Sequence, residues 1–94
     1  MAIKSFRRGP AERLFNRGDA RGVNPAHLVR LRETLEALDG PDPLQALSIP
    51  RYRLHRLKGD RKGQWSVRVS HGWRVTFRTD DKSVWDVQYE NYHH

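Results

Sequence analysis

Ninety-four residues without a cysteine bound one small domain with a modest core, and exclude disulfide staples, cysteine zinc sites and thiol nucleophiles. Eighteen Lys and Arg against eleven Asp and Glu leave a formal charge of +7, an imbalance that costs self-repulsion and marks a polyanionic partner. The basic start has no apolar signal region and no run reaches membrane-spanning length, so a cytoplasmic protein without a membrane partner is expected.

Ile3 to Arg7 reads as a short first strand. Gly9-Pro10 breaks it, and Pro10 suits the first position of a short helix through about Arg17 that buries Leu14 and Phe15. Gly18 to Gly22 is a charged loop. Asn24 can cap a second helix with Pro25 at its first position. Leu28, Leu31, Leu35 and Leu38 then form one apolar stripe, read as core packing, and Gly40-Pro41 closes the helix. Pro41 to Pro50 is a turn-rich link with a helical turn at Leu44 to Leu47. Four strand candidates follow, at Tyr52 to Leu57, Gln64 to Ser70, Trp73 to Thr79 and Val84 to Tyr89. They are separated by Gly59–Gly63, His71-Gly72 and Asp80–Lys82, which are antiparallel hairpin signals.

Period two sorts the strands into faces. Trp65, Val67 and Val69 share one side, as do Trp73, Val75 and Phe77, and Trp85, Val87 and Tyr89; that side is expected on the leucine helix. The other side carries Ser66, Arg68, Arg74, Thr76 and Arg78, an open face with cations and hydroxyls. A shift of one residue inverts the assignment in any strand.

Charge is distributed unevenly. Residues 51–78 hold nine basic side chains and one acidic one, Asp60, whereas residues 79–90 carry Asp80, Asp81, Asp86 and Glu90 against Lys82. Cations placed within strands point to a nucleic-acid face more than to a solvated tail. RNA cleavage without a metal or other cofactor needs a base for the 2′-hydroxyl, cations at the phosphate and an acid for the leaving 5′-oxygen. His55, His93 and His94 stand beside the basic segment, with Tyr92 able to stack on a base or donate a proton. By composition alone, many RNA-binding domains offer the same residues.

The run from Tyr52 through Val67, with Leu54-His55-Arg56-Leu57-Lys58-Gly59-Asp60-Arg61-Lys62-Gly63 at its centre, resembles the HigB toxin family of the RelE superfamily. So do Trp73-Arg74-Val75-Thr76-Phe77 and the ending Tyr89-Glu90-Asn91-Tyr92-His93. The resemblance implies an α+β, compact RelE-like fold, with two N-terminal helices packed on a mainly antiparallel twisted sheet. It implies an mRNA interferase acting in the ribosomal A site, with the ribosome, its 16S rRNA and mRNA as partners. It further implies a HigA-type helix-turn-helix antitoxin, through which the complex meets operator DNA.

His55 then matches a catalytic histidine, Lys58 and Arg74 match cations at the scissile phosphate, and Tyr92 and His93 match a C-terminal Tyr-His pair. Arg53, Arg56, Arg61, Lys62 and Arg68 are expected to grip RNA. Asn91 stands where the family often has Asp, and Gln88 replaces an acidic residue. An Asn cannot act as a carboxylate base, although it can still position substrate by hydrogen bonding. Two other readings compete: a non-catalytic RNA or ribosome binder of the same fold, and an unrelated DNA-binding or structural module. The second lacks an obvious reading helix.

Overall fold

The computed structural model describes residues 2–91. Tyr92, His93 and His94 lie outside the described residues.

Helix α1 spans Pro10–Arg17. Gly18 ends it at φ 66°, donating its N–H toward the Arg13 and Leu14 carbonyls. Leu14 and Ala11 are buried, and Phe15 is half-buried with its ring 5.5 Å from Phe6. The Asn24 carboxamide accepts from the Ala26 N–H and caps a short 3-10 turn, Pro25–His27. That turn leads into α2, Leu28–Leu38, whose Leu31, Leu35 and Leu38 are buried. A one-turn helix α3 covers Pro43–Ala46.

The sheet has four antiparallel strands in sequence order: β1 His55–Arg56, β2 Trp65–Ser70, β3 Trp73–Thr79 and β4 Val84–Asn91. The N-terminal segment adds two parallel bridges to the far side of β4, Ile3 with Val84 and Phe6 with Val87. The expected first strand is therefore only bridges. The helices cover one face, where Leu14, Leu31, Leu35, Leu38 and Leu47 meet Val67, Val75, Phe77, Val84 and Val87 in one core. No helix of the described residues is long and apolar enough to cross a membrane.

Two further expectations need correction. The strand expected over Tyr52 to Leu57 is only two residues long, because Pro50–Tyr52 forms a 3-10 turn and Arg53 follows at φ 47°. In β4 the core residue is Val84, fully buried, and Trp85 is exposed. The cause is a β-bulge. Thr76 pairs with Gln88 and Arg78 with Trp85, so Phe77 faces two residues, Asp86 and Val87. Asp86 sits at φ 56°, and its freed N–H donates to the Ser5 hydroxyl at 2.9 Å. The bulge thus turns Trp85 to the open face beside Arg78.

Asp tolerates the left-handed region through its short polar side chain, whereas a β-branched residue does not. Asp86→Val is expected to lower stability by about 1–2 kcal/mol in thermal or urea unfolding.

Candidate active site

The open face is built by register. His55, Ser66, Thr76 and Gln88 stand side by side across the four strands. The next row on the same face is Arg68, Arg74 and Glu90. Like charges directly opposite one another in adjacent strands destabilise a sheet, so Arg68 against Arg74 is a pairing that an anion would relieve. Arg74 leans back along the sheet and donates from Nη1 to the buried Ser66 hydroxyl at 3.3 Å. Ser66 is the cross-strand partner of His55. The guanidinium is thereby drawn to the strand position beside the imidazole.

His55 is exposed, and its Nδ1 lies 3.0 Å from the Arg53 carbonyl oxygen. A carbonyl only accepts, so Nδ1 carries the proton of the neutral ring and Nε2 presents a lone pair. The left-handed backbone at Arg53 and the short edge strand together set this geometry.

The remaining expected residues separate. Arg61 is not offered to the open face as a bare cation. Its Nη1 and Nη2 meet the two Glu90 carboxylate oxygens at 2.7 Å each, and its Nε donates to Gln64 Oε1 at 2.8 Å. Thr76 donates to Glu90 Oε2 at 2.7 Å. The hydroxyls expected to be open on this face are therefore covered, Ser66 by Arg74 and Thr76 by the Arg61–Glu90 pair. Asn91 pairs with Trp73, one residue out of phase with Glu90 and Arg74. It shares the face of Tyr89 and Trp73 instead of that of His55. Lys58 follows β1 two residues after Arg56, and lines a cavity together with Arg56 and Lys62. Tyr92 and His93, which continue β4 in sequence, lie outside the described residues. Among the described residues no group of three or more His, Asp or Glu forms a metal-ligand cluster.

Sequence reasoning missed Glu90 as the anchor of the β1–β2 loop. The alternation that put Arg74 on the open face could have found it, since the two are cross-strand partners. It also missed buried His27, whose Nδ1 lies 2.7 Å from the Tyr89 hydroxyl, with Trp73 stacked on Tyr89 at 4.7 Å between centroids. This cluster fastens the C-terminal half of β4 to the start of α2. Burial pushes the Tyr89 hydroxyl pKa up, so it stays protonated as a hydrogen-bond partner.

The Arg61 guanidinium, through its hydrogen bonds, holds the Glu90 carboxyl below the usual carboxylate range, against an opposing push from burial. A depressed folded-state pKa gives stability that is complete above the unfolded value, about 4.3, and lost as pH falls through the folded value. Glu90→Gln is expected to cost about 1–2 kcal/mol at pH 7, because the pair is part-buried and two-pronged. The gap to the parent chain begins to close below about pH 4.3 and vanishes once the folded-state carboxyl is protonated. Urea unfolding across that pH range measures it.

The fold is a small helix-backed antiparallel sheet with a cationic, histidine-bearing open face. Two solved structures share the architecture: the YoeB dimer from Staphylococcus aureus, with TM-score 0.61 and 16% identity over 100% of this chain and 98% of that one, and a YafQ mutant from E. coli, with TM-score 0.53 and 20% identity over 95% and 90%. At such identities the likeness concerns fold. Residues 4–93 match the family model described as RelE-like toxin of type II toxin-antitoxin system HigB. The chain also resembles a protein from Proteus vulgaris named Endoribonuclease HigB, at 37% identity over 91 residues, covering 97% of this chain and 99% of that protein. The chain belongs to the HigB-like toxin family, and its toxin–antitoxin class implies an antitoxin partner.

Proposed function

We propose that this protein is an endoribonuclease that cuts messenger RNA in the ribosomal A site. The observation that carries the reading is the convergence of His55, with Nε2 presented, and the Arg68–Arg74 pair on one face of the sheet. The name of the Proteus vulgaris relative supports the reaction class.

His55 Nε2 takes the proton of the 2′-hydroxyl as its oxygen bonds to phosphorus. Arg74 and Arg68 hold the charge that builds on the pentacovalent phosphate, with Lys58 reaching in from the edge strand. His93, protonated, gives its proton to the departing 5′-oxygen, and Tyr92 stacks on the cleaved nucleotide. The products are a 2′,3′-cyclic phosphate, which opens to a 3′-phosphate, and a 5′-hydroxyl. Arg53, Arg56, Lys62 and Arg68 hold ribosomal and messenger RNA, whereas Arg61 shapes the loop between them. The reaction uses no metal or cofactor.

The non-catalytic alternative rested on Asn91 in place of a carboxylate. Asn91 pairs with Trp73, out of phase with Glu90 and Arg74, and keeps a side chain able to hydrogen-bond at the start of the Tyr92-His93 ending. A HigA-type helix-turn-helix antitoxin neutralises the enzyme in the cytoplasm and brings the complex to operator DNA.

The test is induction from a tightly repressed promoter with mapping of RNA 5′ ends. New cuts confined to translated messages and in phase with the reading frame are expected. Equal cutting of untranslated RNA would remove ribosome dependence, and growth arrest without cuts would replace the nuclease by a binder.

A further inference from the structure

His55 and Arg56 are neighbours in β1, so they project to opposite sides of the sheet edge. The side that Arg56 takes is not part of the catalytic face, yet it holds a cavity of about 490 Å³ between the edge strand and the loop that follows it. Exposed Arg56, Lys58 and Lys62 bound it, and its walls include buried Leu57 and half-buried Trp65. None of the described residues that line it is acidic, although Asp60 lies within the same loop.

Arg56 and Trp65 are cross-strand partners, and the guanidinium lies over the indole with its carbon 4.9 Å from the ring centroid. A planar cation stacked on an aromatic ring is a platform on which a nucleobase also stacks. Lys58 and Lys62 supply charge for a phosphate beside it. The loop backbone leaves room at Gly59, where nothing lies within 4 Å of the position a Cβ would take, whereas a Cβ at Gly63 would meet the Arg78 guanidinium at 2.8 Å.

We infer that this cavity is a nucleotide subsite, in which one unstacked base packs on the Arg56–Trp65 pair while Lys58 and Lys62 hold its phosphate. Its role rests on the endoribonuclease reading: an RNA strand passing round the β1 edge leaves the cut phosphate on the His55 face and lodges a flanking nucleotide on the other. Lys58, which lines the cavity and serves the cut phosphate, is where the two halves of the path meet. An acidic peptide would satisfy the cations but has no use for the aromatic platform, so the indole favours RNA.

The test is a titration of the full chain with adenosine 3′-monophosphate, read by NMR at the indole N–H of Trp65. That signal is identified by its loss in Trp65→Phe, and Trp73, stacked on Tyr89 at the other end of β3, serves as the control. The Trp65 signal is expected to move and the Trp73 signal to stay. Ribose 5-phosphate, which lacks the base, is expected to bind about tenfold more weakly at Trp65. Arg56→Gln and Lys62→Gln, both at exposed positions, are each expected to weaken the nucleotide several-fold, Lys62→Gln without changing the thermal midpoint and Arg56→Gln with a fall of only a few degrees from the lost contact with Trp65. A stationary Trp65 signal would overturn the subsite. So would equal binding of ribose 5-phosphate, which leaves only a cationic patch, or a shift caused by oligoglutamate and not by the nucleotide, which makes the cavity a peptide site. The titration involves no cleavage. Failure of the nuclease reading would appear separately, as an intact message in the presence of the wild-type chain.

Discussion

His55→Ala is expected to lower the rate of RNA cleavage about 10²- to 10⁴-fold, the range for loss of a positioned general base. The structure gives the reason at the atomic level. The Arg53 carbonyl fixes the proton on Nδ1, which leaves Nε2 as the basic atom. His55 is exposed and hydrogen-bonds to the carbonyl only two residues away, so the variant should unfold within about 0.5 kcal/mol of the parent. The check is single-turnover cleavage on programmed ribosomes, paired with urea unfolding of the same preparations. A rate loss accompanied by a large stability loss would mean that the ring is structural. Unchanged cleavage would remove His55 from the reaction.

Arg74→Gln is expected to cost about 10²- to 10³-fold in cleavage, as for removal of one preorganised donor to a charged transition state. Its effect on stability is expected to have the opposite character to that of an ordinary buried arginine. Arg74 stands between Arg68 in β2, a like-charge pairing, and Glu90 in β4, whose two carboxylate oxygens are already held by Arg61. Gln keeps a donor for Ser66 while relieving the repulsion. The thermal midpoint should therefore hold or rise slightly as activity falls, which is the signature of a site kept for function at the expense of the fold. Arg68→Gln should show the same pattern more weakly, because Arg68 does not reach toward the His55 row through Ser66. A fall of many degrees in the Arg74→Gln midpoint would contradict this account of the pair.

Much of the helical layer was legible because its punctuation is local. Pro10 and Gly18 bracket α1 through backbone preferences that need no tertiary context, and the leucine stripe of α2 announces its buried side. The sheet was less legible where backbone geometry departs from regular alternation. Nothing in Tyr52-Arg53-Leu54 marks Arg53 as left-handed, so an extended run looked like six residues of strand. Asp86 carries the bulge without the glycine that usually signals one, and the alternation beyond it inverted, placing Trp85 outside and Val84 inside. On the site, Ser66, Arg68, Arg74 and Thr76 came out on a common face because period two holds in β2 and β3, and His55 joins them only through the β1–β2 register. Arg61 did not read as the partner of Glu90, because that pair spans 29 residues of sequence and closes only when the loop folds over β3. The same distance problem hid His27 from Tyr89. Asn91 reads as part of the ending by sequence order, and only the register shows that it pairs with Trp73 and not with Arg74.

The central claim is that this face cleaves RNA by attack of the 2′-hydroxyl. The most direct measurement is cleavage of a message carrying a single 2′-deoxynucleotide on the 5′ side of the mapped cut, beside the all-ribose message, with the product ends identified by mass spectrometry. The account predicts a 2′,3′-cyclic phosphate or 3′-phosphate and a 5′-hydroxyl from the ribose message, and no cut at the deoxy position. A 3′-hydroxyl with a 5′-phosphate, or unimpeded cutting of the deoxy message, would contradict it.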